Sequence, residues 1–97
     1  MGGSVYKLWM LKLTPAARQL SEEEMAASVA RTDEALAKVG GRRVMLCKSR
    51  WAAEQWDYFG IDEFPSIEAE QEFADLTESG AGYVESFSLL GIKWPSS

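Results

Sequence analysis

A capping box at residues 21–24 constrains the fold of this chain more than any other feature. In Ser21-Glu22-Glu23-Glu24 the serine hydroxyl is placed to accept from a first-turn amide and Glu24 to reach back to the Ser21 amide. The three acids also suit the positive end of a helix dipole. Met25, Val29, Thr32, Leu36 and Val39 then recur at steps of four and three, until Gly40-Gly41 ends the pattern. A helix is predicted between these signals. On either side the pattern changes to that of strands. Residues 5–13, VYKLWMLKL, form an extended run closed by Thr14-Pro15, and residues 42–51, RRVMLCKSRW, form the next.

Residues 54–63 follow after Ala52-Ala53 as the second arm of a hairpin. Pro65 stops that strand and Ser66 caps a second helix, on which Ala69, Phe73 and Leu76 share a face. Ser79-Gly80-Ala81-Gly82 is a turn, and residues 83–94, YVESFSLLGIKW, make a last strand stopped by Pro95. The order is βαββαβ, a split β-α-β pattern. It predicts an α+β fold with a four-stranded antiparallel sheet and both helices on one face. With 97 residues the chain holds one domain, expected over 5–95 behind a flexible N-terminus at 1–4. The other sheet face then carries aromatic and aliphatic side chains that a soluble monomer rarely leaves bare, so a second copy is expected to cover it.

Charge and missing residue types narrow the function. Ten basic against fifteen acidic residues give a net charge of −5, which repels phosphate backbones and anionic lipid heads. Neither nucleic acid nor membrane is an expected partner, and no apolar stretch reaches 18 residues. RNA-recognition domains share the βαββαβ order, but Glu54, Asp57, Asp62 and Glu63 surround Trp56 and Tyr58 where such a domain needs cations. The single cysteine, Cys47, excludes an intrachain disulfide and suits a reducing, cytoplasmic location. It has no evident activating group, so it reads as an inert thiol rather than a nucleophile. Histidine is absent, which removes the commonest metal and haem ligand and the commonest neutral-pH base. Neither metal nor cofactor is expected.

The segment EFPSIEA at 63–69, with a strand end, Phe64-Pro65-Ser66 and a helix start, resembles the corresponding part of the dimeric α+β barrel superfamily, and SFSLLG at 86–91 is similar to its last strand. Within it, the segment looks like that of several small barrel families, including those related to YCII-type and antibiotic-biosynthesis-monooxygenase-type proteins. The resemblance implies a ferredoxin-like protomer, a homodimer formed by pressing open sheet faces together, and a small-molecule cavity in each protomer. YCII-type and many haem-handling members rely on a histidine, so those activities do not transfer. The resemblance therefore implies a cofactor-independent monooxygenase, cyclase or isomerase acting on a small aromatic or polyketide-like substrate. A ligand-binding or stress-related barrel without turnover is the alternative.

Period-two alternation sorts the strands into faces. On the first strand Tyr6, Leu8 and Met10 form an apolar set suited to the helices. Val5, Lys7, Trp9 and Leu11 include a mid-strand charge and are expected on the open face. The second strand offers Met45, Cys47, Ser49 and Trp51 to that face. The third offers Trp56, Tyr58 and Gly60 or else Asp57, Phe59 and Ile61, and the fourth Tyr83, Glu85 and Phe87 or else Val84, Ser86, Ser88 and Leu90. With the first strand between the third and the fourth, Lys7 is expected beside Asp57 and Glu85, an acid-base set without histidine in which Tyr58 is a further candidate base. An ion pair that only fixes interface register is the simpler reading. Trp9, Trp51, Trp56, Tyr83 and Phe87 are candidates to hold a planar ligand, against core or interface packing.

Overall fold

The structure, a computed structural model, describes residues 4–49, 55–78 and 84–95. Strand β1 spans Val5–Leu13, β2 Arg42–Lys48, β3 Tyr58–Phe64 and β4 Val84–Gly91; helix α1 spans Pro15–Arg18, α2 Glu22–Lys38 and α3 Ile67–Leu76. The strands form one sheet in the order β2-β3-β1-β4, and each neighbouring pair is antiparallel. This is the ferredoxin-like α+β arrangement the element order predicts.

The local signals act as their chemistry requires. The Glu24 amide donates to Ser21 Oγ at 3.1 Å and the Ser21 amide donates to Glu24 Oε1 at 2.9 Å, completing the capping box. At the other end Gly40, with φ of +78°, turns the chain out of α2. There the Gly41 amide donates to the Leu36 carbonyl and the Gly40 amide to that of Ala37, the paired bonds of a Schellman close. Ser66 Oγ caps α3 by accepting from the Ala69 amide at 3.1 Å.

Four boundaries differ from the sequence reading. Helix α1 is additional: Thr14 caps it, Pro15 occupies its first turn and Ala17 is fully buried. Strand β3 begins at Tyr58, and just before it the Asp57 side chain accepts from the Leu13 amide and Arg18. Strand β2 ends at Lys48 and β4 at Gly91, short of the expected limits. On α2 the inward row runs through Met25, Ser28, Thr32, Leu36 and Val39, and Val29 is half exposed. The expected turn at 79–82, the Ala52-Ala53 connection and residues 1–3 lie outside the described residues, whereas Ser4 is half-buried and hydrogen-bonded to Glu63.

The core joins Ala35 and Leu36 of α2 and its C-cap Val39 to Phe64 of β3 and to Ala69 and Phe73 of α3. The Phe64 and Phe73 rings meet at 5.4 Å and 53°, a tilted contact that places α3 over the start of the sheet. No helix among the described residues is long and apolar enough to cross a membrane.

Candidate functional site

The faces of β1 are the reverse of those expected. Lys7 Nζ lies 3.1 Å from Glu70 Oε2 on α3 and 5.6 Å from the Phe73 ring centroid, so Lys7 points under the helices. Period two then carries Val5, Trp9 and Leu11 to the same side. A mid-strand lysine suggests an uncovered face only when the covering helix has no charge to meet it. Here α3 buries Glu70 for that purpose. Register extends the helix side through Asp62, Gly60 and Tyr58 on β3, and through Leu90, Ser88 and Ser86 on β4.

Beneath the helices lies a charged, partly dry tier. Asp62, 2% exposed, accepts from Arg43 Nε at 2.7 Å, and Arg43 Nη1 reaches Asp33 of α2 at 3.5 Å. The Arg43 guanidinium also lies 5.6 Å from the Trp9 ring. Arg43 reaches this side because the β2–β3 register shifts between Arg43 and Met45, a bulge that reorients the strand. Trp9 packs over Gly60, where an added Cβ would lie 2.5 Å from the indole Cζ2, so glycine is what lets the ring lie flat. The Trp9 Nε1–H is buried and has no acceptor among the described residues. Beside it, Ser88 is the cross-strand neighbour of Trp9, and Ser86 that of Leu11; both serines are exposed.

The tier therefore combines an aromatic plate, an unused indole donor, an ammonium–carboxylate pair at 17% and 12% side-chain exposure, and two hydroxyls at its open edge. Glu70, Asp62 and Arg43 were missed by sequence reasoning. Glu70 had a signal: it lies three residues before Phe73, on the flank of the buried face of α3, where a charge needs a partner. A separate open groove of about 210 Å³ runs along α2 between Leu20, Glu24, Ala27, Ser28 and Arg31.

The other expected residues are dispersed. Asp57 sits at the far end of β1, 5% exposed; its Oδ2 accepts from the Leu13 amide at 2.8 Å and from Arg18 at 3.3 Å, which makes it a brace for the β1–α1 corner. Glu85 is the cross-strand neighbour of Lys12 on the open side. Lys7 is therefore paired across the sheet with Asp62 and Leu90, and the expected set with Asp57 and Glu85 does not form. Tyr58 is half-buried on the helix side, and Trp56 precedes β3 with its carbonyl accepting from Ser49 Oγ at 3.1 Å. Phe87 lies opposite Met10 on the open face, 53% exposed. Trp51 and Tyr83 lie outside the described residues.

Among the described residues the open face is aliphatic and sulfur-rich rather than tryptophan-lined. Register places Leu8, Met10, Met45, Cys47, Phe59, Ile61, Phe87 and Leu89 on it; Met45, Phe87 and Leu89 are each about half exposed. Charged groups mark one end, where Arg42 Nε meets Glu63 Oε1 at 2.8 Å and the Tyr6 hydroxyl donates to Glu63 Oε2 at 3.3 Å. The hydrogen bond from Ser4, with the Arg42 charge and the Tyr6 hydroxyl, holds the Glu63 carboxyl below the usual glutamate range. Its stabilising contribution is present above the ordinary glutamate pKa and disappears as pH falls through the lowered value. At fixed protein concentration Glu63→Gln is expected to give a shallower loss of urea midpoint on acidification. Parallel wild-type and variant acid limbs would refute this.

The chain is similar in fold to several solved structures. The RPA0582 protein of unknown function from Rhodopseudomonas palustris matches with a TM-score of 0.69 at 18% identity, over 99% of this chain and 86% of that one. A mutant chlorite dismutase from Candidatus Nitrospira defluvii matches with a TM-score of 0.75 at 15% identity, over 98% of this chain and 42% of that one. The chlorite dismutase of the same organism in complex with imidazole gives 0.71 at 15% identity, over 98% and 42%. This chain thus spans less than half of the dismutase, and at these identities the likeness is one of fold. No family model and no curated protein matches the chain.

Proposed function

We propose that this chain is a small-molecule-binding protein that works as a homodimer, with a planar, oxygen-bearing ligand held beside Trp9 between the sheet and the helices. The observation that carries the reading is the buried Trp9 Nε1–H, without an acceptor among the described residues, on the side of β1 that also carries the Lys7–Glu70 pair. An orphaned buried donor is costly, and a ligand oxygen would satisfy it. The indole face offers stacking, Tyr58 lies on the same side of the sheet, and Ser86 and Ser88 offer hydroxyls at the edge.

The open face supports the homodimer. Its sheet measures about 20 by 25 Å from standard strand spacing and rise, and two such ridged surfaces bury ~1,000–1,600 Å² in total, within the range of specific dimers. Kinship with the YCII-like and antibiotic-biosynthesis-monooxygenase-like barrels belongs to this same reading.

With turnover, the chemistry is cofactor-independent proton removal, serving an isomerase, a cyclase or, with dioxygen as co-substrate, a monooxygenase acting on an aromatic or polyketide-like compound. Glu70 takes a proton from an acidic carbon, Lys7 stabilises the oxyanion left on the substrate, and Trp9 fixes the ring. The role expected of Asp57 and Glu85 passes to Glu70. A carrier without turnover is the second reading, favoured by the direct 3.1 Å Lys7–Glu70 contact, which already satisfies both charges.

Titration with 2-naphthol, followed by tryptophan fluorescence, tests the site. Saturable quenching is expected, with affinity at least ~10-fold weaker in Trp9→Phe, because one hydrogen bond and part of a stack are lost. No quenching, or quenching indifferent to Trp9→Phe, removes the site. For a phenolic substrate that is consumed, Lys7→Met is expected to lower turnover by ~10²-fold or more with little change in binding. Unchanged turnover leaves the carrier.

A further inference from the structure

We infer that the free edge of β4 is a second assembly surface, which pairs antiparallel with β4 of another copy about a two-fold axis at Leu89, setting Glu85 against Lys93 of that copy. The two edges of the sheet are β2 and β4. Strand β2 is guarded: it carries the bulge between Arg43 and Met45 and the cations Arg42, Arg43 and Lys48. Bulges and edge cations are the ordinary means of blocking strand addition. Strand β4 has neither. It pairs with β1 in an unbroken register over eight residues, nearly all of it is exposed, and residues 86–92, SFSLLGI, carry no charge. Its outward amides and carbonyls are a template for another strand.

The register follows from the side chains. A two-fold axis perpendicular to the sheet keeps both open faces on one side, so facing residues must share parity. Centring on Leu89 brings Glu85 opposite Lys93 twice per pair of chains and Phe87 opposite Gly91. Neither Glu85 nor Lys93 has an ion-pair partner among the described residues, although Lys12 is the cross-strand neighbour of Glu85. A Cβ built on Gly91 meets nothing within 4 Å, so an aromatic ring has room above it. Centring on Ser88 or Phe87 leaves both charges facing neutral residues. Glu85 of β4 and Lys93, two residues beyond its end at Gly91, thus supply an acid and a base placed symmetrically about Leu89, which favours a second copy over an unrelated strand. The contact uses backbone groups, so it coexists with stacking of the open faces and does not depend on the ligand site; two perpendicular two-folds together close a tetramer.

Sedimentation at low salt tests the register, with circular dichroism as the check on folding. Glu85→Lys and Lys93→Glu each place like charges across the new seam, so each is expected to lower the association constant by about ten-fold or more. The double variant and a 1:1 mixture of the two single variants both restore opposite charges across the seam and are expected to recover wild-type association. Mixing is decisive because it leaves each chain's own Lys12 neighbour unchanged. Single variants that associate normally, or losses recovered neither by mixing nor in the double variant, overturn the proposal. An open-face variant that fails to alter the assembly would count against the face-stacked dimer and leave the edge contact standing.

Discussion

Leu8→Asp is expected to abolish open-face association while leaving the protomer folded. Leu8 lies in the middle of β1 on the open face, with Ile61 of β3 and Leu89 of β4 as its cross-strand neighbours. In an isolated protomer an aspartate there retains access to water, since Met45 and Leu89 around it are about half exposed. In the stacked dimer the carboxylate is shut between two apolar sheets with no cation in the row. An unpaired buried charge costs about 3–5 kcal/mol, and two-fold symmetry introduces it twice, so association weakens by at least ~10³-fold. Sedimentation equilibrium reads this directly, with Leu8→Met as the volume-conserving control that keeps association. A Leu8→Asp protein that retains the wild-type assembly at micromolar concentration excludes the open face as an interface.

Backbone architecture was legible from local chemistry, and the faces of the sheet were not. Capping boxes, glycine stops and strand-closing prolines act over three or four residues, so Ser21, Gly40 and Ser66 declare themselves in the chain. The face of β1 depends on Glu70, 63 residues away from Lys7, and nothing in the alternation of VYKLWMLKL states that α3 brings a carboxylate to meet the lysine. Reading Lys7 as a sign of the open face inverted the strand, moving Trp9 from an imagined interface into the tier under the helices. Alternation puts Met45 and Cys47 on the open side, where the register also has them, yet Arg43 crosses to the helix side by a one-residue bulge that the sequence does not mark. On α2 the alternating steps of four and three point to Val29, whereas Ser28 is the residue that turns inward. The candidate site was thus half legible. Its aromatic plate and its lysine were named, but the carboxylates that complete it come from β3 and α3 by tertiary contact.

Arg43→Met is expected to cost the fold more than any change at the surface. Asp62 is 2% exposed and its carboxylate takes a 2.7 Å bond from Arg43 Nε; across the strand Lys7 is already engaged by Glu70. Removing the guanidinium leaves the carboxylate beneath the helices without a cation, strips the Trp9 ring of its cation–π partner and frees the bulge that Arg43 ties to Asp33 of α2. The loss is about 3–5 kcal/mol against a total stability of about 5–15 kcal/mol for a domain of this size. A fall of ~15–30 °C in Tm follows. The cost arises from the stranded charge and not from the absence of an ion pair, so removing both members is expected to behave differently. In Arg43→Met/Asp62→Leu no buried charge remains and an apolar pair of similar volume fills the space, so most of the stability returns. Thermal melts of the single and double variants, at one protein concentration because assembly raises apparent stability, decide the matter. An Arg43→Met protein that melts within a few degrees of wild type would mean that water reaches Asp62, and the tier beside Trp9 would then be too wet to strengthen a Lys7–Glu70 acid-base pair.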